Sequence, residues 1–114
     1  MRKLIVLAVL LAASVESAVL ATSAPSATRV KIGDNYFVRS SGVPTVTVAK
    51  GSRVKWVWAG RRLHNVRVVK GPVRFASPTQ KTGTYVRRVR RAGTYTIVCT
   101  IHGGSDQKMK LVVR

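Results

Sequence analysis

The stretch GTYTIVCTIHGGSDQKM, residues 93–109, contains the chain's only cysteine, one of its two histidines and one of its two methionines. Its first half alternates between the two sides of the chain, so Tyr95, Ile97 and Cys99 share one face of a predicted β-strand. A glycine-containing loop with His102 follows and leads into a second alternating run. The stretch therefore predicts a strand, a loop rich in possible metal ligands and a returning strand.

The rest of the chain after the first 24 residues repeats this pattern of short strands. Runs rich in Val, Thr, Tyr and Trp are separated by Gly, Pro and Ser, and helical periodicity is nearly absent. Eight such runs at this spacing predict an antiparallel all-β sandwich or barrel. The predicted strands lie near 29–33, 35–39, 45–49, 52–58, 65–70, 84–90, 94–100 and 107–113.

Residues 1–24 have the features of a secretory signal peptide. A basic start, MRK, is followed by the apolar run LIVLAVLLAA and then by small residues in VLATSAPSA. The apolar run is too short for a stable membrane span, although an uncleaved anchor is the alternative. We therefore expect one domain at 25–114, exported to the periplasm, the cell envelope or the extracellular space, without a transmembrane segment in the mature chain.

The charge of the chain is strongly positive. It has 21 Lys and Arg residues against three acidic residues, a formal net charge of +18. Such a surface attracts polyanions, whether nucleic acid, anionic lipid, wall polymer or an acidic protein. Aromatic residues are not interleaved with the basic strand positions in the way typical of nucleic-acid-binding domains, so we expect no nucleic-acid partner.

Three side chains form a candidate metal site. Cys99 has no disulfide partner in the chain, so it is either a metal ligand or a buried core residue. His64 follows the loop sequence GRRL, and His102 comes three residues after the cysteine. A thiolate and two imidazoles, with room for a weak fourth ligand, suit a copper ion that changes between Cu(I) and Cu(II). Structural zinc sites prefer four strong ligands, and only three are present in this set.

Three segments together resemble a cupredoxin, a blue copper protein, of the plastocyanin and amicyanin type. They are HNV at 64–66, GTYTIVCTIH at 93–102 and the paired-tryptophan strand VKWVW at 54–58. The resemblance covers nearly all of the chain that follows the predicted signal peptide. It implies a Greek-key β-sandwich of about eight strands.

The resemblance also implies the roles of several residues. His64, Cys99 and His102 would be the strong ligands of one copper ion, and Asn65 would brace the cysteine loop through hydrogen bonds. Such a protein is expected to be a monomeric one-electron carrier between redox partners rather than an enzyme. Electrons would pass through the edge of His102, in an apolar patch to which Leu63 contributes. A copper storage or delivery module without electron transfer is the alternative.

The axial position departs from the family pattern. A methionine often stands there, five residues after the second histidine, but this chain has Gln107 at that place and Met109 two residues later. These two side chains share a strand face but lie about 6.6 Å apart along it, so only one can be close to the metal. Glutamine is a known weak axial ligand, and we expect Gln107 in this role. Met109 as the ligand, or a three-coordinate site, remains as the alternative.

The densest basic patch in the sequence has an expected role in docking. It consists of Arg87, Arg88, Arg90 and Arg91. Opposite charge accelerates association, so this patch would steer an acidic redox partner. The same charge could instead only keep the domain soluble or hold it near an anionic envelope surface.

Overall fold

The computed structural model of this chain describes residues 27–103 and 105–114. The predicted signal peptide, residues 1–24, lies outside these residues. The described part forms seven β-strands and no helix. It accordingly includes no helix of the length and apolarity that crossing a membrane requires.

The strands form two sheets. One has three strands in the order β1-β3-β5, and the other has four in the order β2-β7-β6-β4. The strands are β1 Thr28–Ile32, β2 Thr45–Val48, β3 Arg53–Trp58, β4 Arg67–Lys70, β5 Gly83–Arg88, β6 Gly93–Val98 and β7 Lys108–Val113. The all-β sandwich predicted from the sequence is therefore confirmed.

Alternating side chains build the core between the sheets. In β3, Val54, Trp56 and Trp58 are buried, whereas Arg53 is exposed and Lys55 is half-buried. The buried residues of β6 and β7 meet this face from the other sheet and complete one hydrophobic cluster. Because alternate residues of a strand point to opposite sides, the basic residues decorate the outer faces without disturbing the core.

Two strand pairs are parallel, which the antiparallel prediction did not include. β1 runs parallel to β3, and β2 runs parallel to β7, while the other three pairs are antiparallel. The chain passes through the other sheet between the members of each parallel pair. Such crossover connections are what parallel pairing requires, since a tight hairpin joins only antiparallel strands.

The predicted strand at 35–39 is wrong. Only Phe37 pairs there, in a single bridge with Ile32. The amide of Gly33 donates to the carbonyl of Tyr36 (2.9 Å), which closes a turn, and Val38 has a φ of 71°. This left-handed backbone ends any extended run, because a β-branched residue rarely adopts it and a strand cannot continue through it. The segment instead forms a turn that carries Asp34.

One end of the sandwich gathers the loops that carry the candidate ligands. Trp58 is paired with Gly83 at this end of the three-stranded sheet, and Val98 is paired with Lys108 at this end of the other. The loops after β3 and β6 therefore leave the two sheets side by side. We call this part of the molecule the ligand end.

Candidate metal centre

Three metal-binding side chains meet at the ligand end. The ligand atoms of His64, Cys99 and His102 all lie within 4.8 Å of one another. The sulfur of Cys99 is 3.8 Å from Nδ1 of His64 and 3.6 Å from Nδ1 of His102. The fold thus brings His64 next to Cys99 and His102, which follow it in sequence by 35 and 38 positions.

These separations fit a trigonal arrangement around one ion. Atoms bonded at about 2.0–2.3 Å and spread at 120° around a centre lie about 3.5–3.8 Å apart. The two sulfur–nitrogen distances, 3.8 and 3.6 Å, fall in or next to that range. The two sulfur–nitrogen distances are therefore those expected around one shared ion, and all three donor atoms lie within 4.8 Å of one another.

The backbone of His64 is held on two sides. Its amide donates to the carbonyl of Gln80, and its carbonyl accepts from the amide of Gln80, at 3.0 Å each. The same carbonyl accepts a hydrogen bond from Nε1 of Trp58 (3.1 Å). His64 is fully buried. A histidine fixed in this way has its ring direction set by the fold before any ligand binds.

The loop from Cys99 to Gln107 is closed by its own backbone. The amide of Gly103 donates to the carbonyl of Cys99 (3.0 Å), and the amide of Cys99 donates to the carbonyl of Gln107 (3.1 Å). Gly103 has a φ of 81°, a conformation that glycine adopts without steric cost. The tight loop returns the chain to β7 so that Gln107 enters the site next to His102.

The side chain of Gln107 is buried and its orientation is fixed. Its Nε2 donates to the carbonyls of Gly33 (2.9 Å) and Tyr36 (3.0 Å). Its Oε1 therefore points the other way, 3.0 Å from Nδ1 of His64 and 3.1 Å from Nδ1 of His102. The carbonyls of Gly33 and Tyr36 belong to the turn found in place of the predicted strand at 35–39. By binding Nε2, this turn directs Oε1 toward the two histidines.

Asp34 holds the opposite side of the His64 ring. Its Oδ1 lies 3.1 Å from Nε2 of that ring and also accepts from the amides of Arg61 (2.8 Å) and Arg62 (3.0 Å). The hydrogen bond to His64, followed by the one from the Arg61 amide, lowers the pKa of Asp34 from its ordinary value of 3.8 to about 2. The side chain is therefore a carboxylate at neutral pH.

These contacts make the site attractive to a cation. A carboxylate accepts hydrogen bonds, so Nε2 of His64 carries the proton, and in the neutral ring Nδ1 is left with a bare lone pair. That lone pair faces the carbonyl oxygen of Gln107, a second acceptor, at 3.0 Å. In that tautomer, the Nδ1 lone pair of His64 and the Oε1 atom of Gln107 are two acceptors 3.0 Å apart, an arrangement that a metal ion between them would relieve. The donor set, one thiolate and two imidazoles with an amide oxygen, fits copper.

Asn65 connects the loop of His64 to the cysteine loop. Its Oδ1 accepts from the amide of Thr100 (2.8 Å), and its Nδ2 donates to the hydroxyls of Thr100 (2.8 Å) and Thr79 (3.2 Å). Thr100 is the residue directly after Cys99. The side chain of Asn65 therefore makes hydrogen bonds to the cysteine loop, as expected of a brace.

Exposure distinguishes His102 from the other donors. Cys99, His64 and Gln107 are fully buried, whereas the ring of His102 is half-buried at the surface. Next to the two histidines in sequence, Leu63 is 50% exposed and Ile101 is 47% exposed. These two apolar side chains beside the ligand loops define what we call the apolar rim.

Met109 and the arginine patch lie away from the donors. Met109 is fully buried on the inner face of β7, paired with Ile97, and belongs to the hydrophobic core. In β5, Arg87 and Arg88 are paired with Val54 and Arg53, at the opposite end of the strand from Gly83. Four or five residues along a strand span about 13–17 Å, so the patch does not border His102.

Basic residues do occur at the ligand end. Arg61 and Arg62 are exposed and directly precede Leu63 of the apolar rim. They, together with Ile101 and Asp34, were not identified from the sequence. Arg61, Arg62 and Ile101 lie within three residues of a histidine in sequence, and this closeness was the signal available for them. Nothing in the sequence indicated that Asp34 contacts His64.

Comparison with known proteins places the chain among copper proteins of known structure. A Cu(I) form of a methionine-to-alanine mutant of amicyanin has a TM-score of 0.63 and 28% identity, covering 81% of this chain and 86% of that one. An oxidised proline-to-glycine mutant of amicyanin has a TM-score of 0.60 and 30% identity, covering 77% and 82%. A Cu(I) structure of a methionine-to-glutamine mutant has a TM-score of 0.61 and 30% identity, with the same coverage. No protein-family model and no curated protein sequence matches the chain.

Proposed function

This chain belongs to the cupredoxins of the amicyanin type, and we propose that it carries single electrons between redox partner proteins by means of one copper ion. Cupredoxins of this type are in general electron carriers rather than enzymes. The observation that carries the proposal is the convergence of one sulfur, two ring nitrogens and one amide oxygen at the ligand end.

The residues divide the binding of copper among them. Cys99, His64 and His102 would hold the ion as strong ligands, and Oε1 of Gln107 would be the weak axial ligand. Copper, when bound, supplies the exchange of one electron between Cu(I) and Cu(II). Met109 is less favoured as the axial ligand because it lies in the core beyond Gln107.

The rest of the chain keeps the donors in place and dry. Three of the four are fully buried, and each is tied to the backbone or to a neighbouring strand by hydrogen bonds. A site that is rigid in this way does not have to rearrange its ligands when the charge of the ion changes. Burial also protects the thiolate from oxidants and from disulfide exchange.

Partner docking is proposed at the apolar rim. His102 is the only one of the four donors that reaches the surface, and Leu63 and Ile101 lie beside it. The positive charges of Arg61 and Arg62 border the same region and would attract an acidic partner. The more distant Arg87, Arg88, Arg90 and Arg91 would add to the long-range attraction without contacting the partner at His102.

The location and assembly are part of the proposal. A leader at 1–24 would export the chain to the periplasm, the cell envelope or the extracellular space, and the domain at 25–114 would act there as a monomer. The positive surface could also hold it close to an anionic envelope.

The direct experiment is a copper titration of the purified domain followed by visible spectroscopy and voltammetry. We expect one equivalent of Cu(II) to produce an intense visible band from thiolate-to-copper charge transfer, and a reversible one-electron wave. Cys99→Ser should remove the band, while circular dichroism of the variant stays that of the β-sandwich.

Two results would contradict the proposal in different ways. Colourless oxidised protein with bound Cu(II) would mean that Cys99 does not bind the metal. A coloured protein with no reversible wave, which releases Cu(I) readily to a chelator, would instead support a storage or delivery module.

A further inference from the structure

Asp34 is an unusual residue in this chain. It is one of only three acidic residues among 114, and its side chain is 37% exposed in a surface turn. Even so, a single oxygen atom of this side chain interacts with three N–H groups, namely Nε2 of His64 and the amides of Arg61 and Arg62. Although the protein has 21 Lys and Arg side chains, the contacts of this carboxylate are with His64 and with the backbone of the loop that carries it.

The surrounding backbone is shaped to admit this carboxylate. A side chain at Gly60 would collide with the carboxylate of Asp34, so only glycine leaves room there. The two amides that donate to Asp34 belong to the residues just after Gly60, on the same loop that delivers His64. The loop therefore wraps around the carboxylate and fixes its distance to the ring.

The contact between Asp34 and His64 determines which nitrogen of the His64 ring is unprotonated. With Nε2 donating to the carboxylate, the nitrogen of the neutral His64 ring that lacks a proton is Nδ1, the atom that faces Cys99 and Gln107. A carboxylate behind a metal-binding histidine also makes the ring a stronger electron donor. Stronger donation favours the higher charge state of a bound metal.

We propose that Asp34 is a positioning residue that fixes the metal-binding tautomer of His64 and, through that ring, stabilises oxidised copper and lowers the reduction potential. The effect on the reduction potential rests on the proposed function, because it requires bound copper. The effect on the tautomer of His64 can be measured in the metal-free protein. Asp34 acts through His64 and does not contact the metal itself.

A purely structural role makes a different prediction. If Asp34 only anchors the loop at Arg61 and Arg62, an asparagine should replace it, because its amide oxygen can accept the same backbone hydrogen bonds. If the negative charge behind the ring matters, Asp34→Asn should alter the ring even when the loop is preserved. Asp106→Asn is the matched control, since it removes one negative charge from an exposed position at the ligand end.

The first measurement is ¹⁵N NMR of the histidine rings in the metal-free protein. We expect the wild-type ring of His64 to be protonated at Nε2 and free at Nδ1. Asp34→Asn, whose uncharged oxygen is a weaker acceptor for Nε2–H, should increase the population of the other tautomer. Asp106→Asn should leave the wild-type signals unchanged. A wild-type ring protonated at Nδ1 overturns the proposal, even if Asp34→Asn does not fold and cannot be compared.

The second measurement is metal binding, with Zn(II) as a probe that has no redox chemistry and copper for the potential. Loss of a carboxylate behind a histidine ligand typically lowers affinity by about 10- to 100-fold. We expect Asp34→Asn to lose zinc affinity in that range and to have a higher copper potential, beyond any change in Asp106→Asn. Equal affinity, potential and tautomer in the two variants would mean that Asp34 is only a loop anchor. Failure of the wild type to bind copper would instead overturn the proposed function and leave the tautomer result standing.

Discussion

The orientation of one amide group decides what kind of fourth ligand the site offers. Both N–H bonds of Gln107 are used by the carbonyls of Gly33 and Tyr36, so its oxygen has no alternative but to face the two histidines. A glutamine in the core normally needs such partners to offset the cost of burial. Here the same bonds that satisfy the amide also aim its oxygen at the two histidines, where it would be the axial ligand of the proposed copper site.

Replacing Gln107 tests this at the level of one residue. We predict that Gln107→Met raises the reduction potential, because a thioether bound weakly at the axial position stabilises Cu(II) less than an amide oxygen does. The potential is measured by voltammetry of the copper-loaded variant and the spectrum is recorded alongside it.

Met109→Leu is the matched control. A Met-to-Leu exchange in a core conserves volume and usually costs less than about 1.5 kcal/mol, so the fold should persist. Its spectrum and potential should equal those of the wild type. If Met109→Leu shifted both and Gln107→Met shifted neither, the axial assignment would have to be reversed.

Asp34 makes stability depend on pH in a defined direction. Its pKa in the folded protein, about 2, lies below the ordinary 3.8, so the unfolded chain binds the proton more readily. The stabilisation is therefore complete above about pH 5 and is lost as the pH falls through about 2. We predict that the difference in urea midpoint between metal-free wild type and Asp34→Asn narrows over this interval, and a difference that stays constant would contradict the assignment.

At the scale of elements, the site depends on two loops from different sheets being held together. The loop after β3 carries His64, and the loop after β6 carries Cys99 and His102. Asn65 joins them through two hydrogen bonds to Thr100, which lies between the cysteine and the second histidine.

Removing this brace should loosen the metal centre more than the sandwich. Asn65→Ala deletes both bonds to Thr100 and the one to Thr79, and is expected to cost about 1.5–4.5 kcal/mol of stability at about 0.5–1.5 kcal/mol for each bond. Copper affinity should fall as well, because the cysteine loop is no longer fixed against His64. Chemical unfolding and competition with a chelator measure the two effects.

Thr79→Val is the matched change for this brace. It removes only the third and longest bond of Asn65, at 3.2 Å, and leaves the contact with Thr100 intact. Its copper affinity should be close to that of the wild type. Equal losses in both variants would mean that Asn65 acts through Thr79, in the segment between β4 and β5, rather than across to the cysteine loop.

The sequence predicted those elements whose information is local. The alternation in VKWVW and TYTIVCT reproduces the buried faces of β3 and β6, because period-two burial can be read directly from residue types. The segment at 35–39 also contains β-forming residues, but its hydrogen bonds are made within a turn, and residue preference alone could not show this.

The candidate site was likewise predictable where a local sequence pattern encodes it. Cys99 and His102 are three residues apart and His64 precedes an asparagine, a pattern that could be compared with a known family. The contact between Asp34 and His64 spans 30 positions and depends on the turn at Gly33, so no local pattern indicates it. The arginine patch was given a role in docking because it is dense in sequence, whereas strand register places Arg87 and Arg88 at the end of β5 away from the site.

At the scale of the whole molecule, positive charge covers both outer faces. The three-stranded sheet presents Arg29, Lys31, Arg53, Lys55 and Arg88, and the other sheet presents Arg67, Lys70, Lys108 and Lys110. Charge spread in this way attracts an anion from every direction but does not orient it. Orientation would have to come from charges at the ligand end, among them those of Arg61 and Arg62.

An anionic redox reagent tests this distribution without a known partner. We predict that oxidation of the reduced protein by hexacyanoferrate(III) slows as salt is added, since screening acts over about 10 Å at 0.1 M. The double variant Arg61→Gln/Arg62→Gln should be slower than Arg90→Gln/Arg91→Gln, which loses the same charge far from the site. Equal rates in the two variants would mean that only net charge matters.

Cys99, His64 and His102 are proposed to bind the same copper ion. X-ray absorption at the copper edge of the loaded protein tests this proposal most directly, because it counts the atoms bonded to the metal. We predict one sulfur and two imidazole nitrogens at bonding distance, in both oxidation states. A shell of nitrogen and oxygen alone, without sulfur, would contradict it.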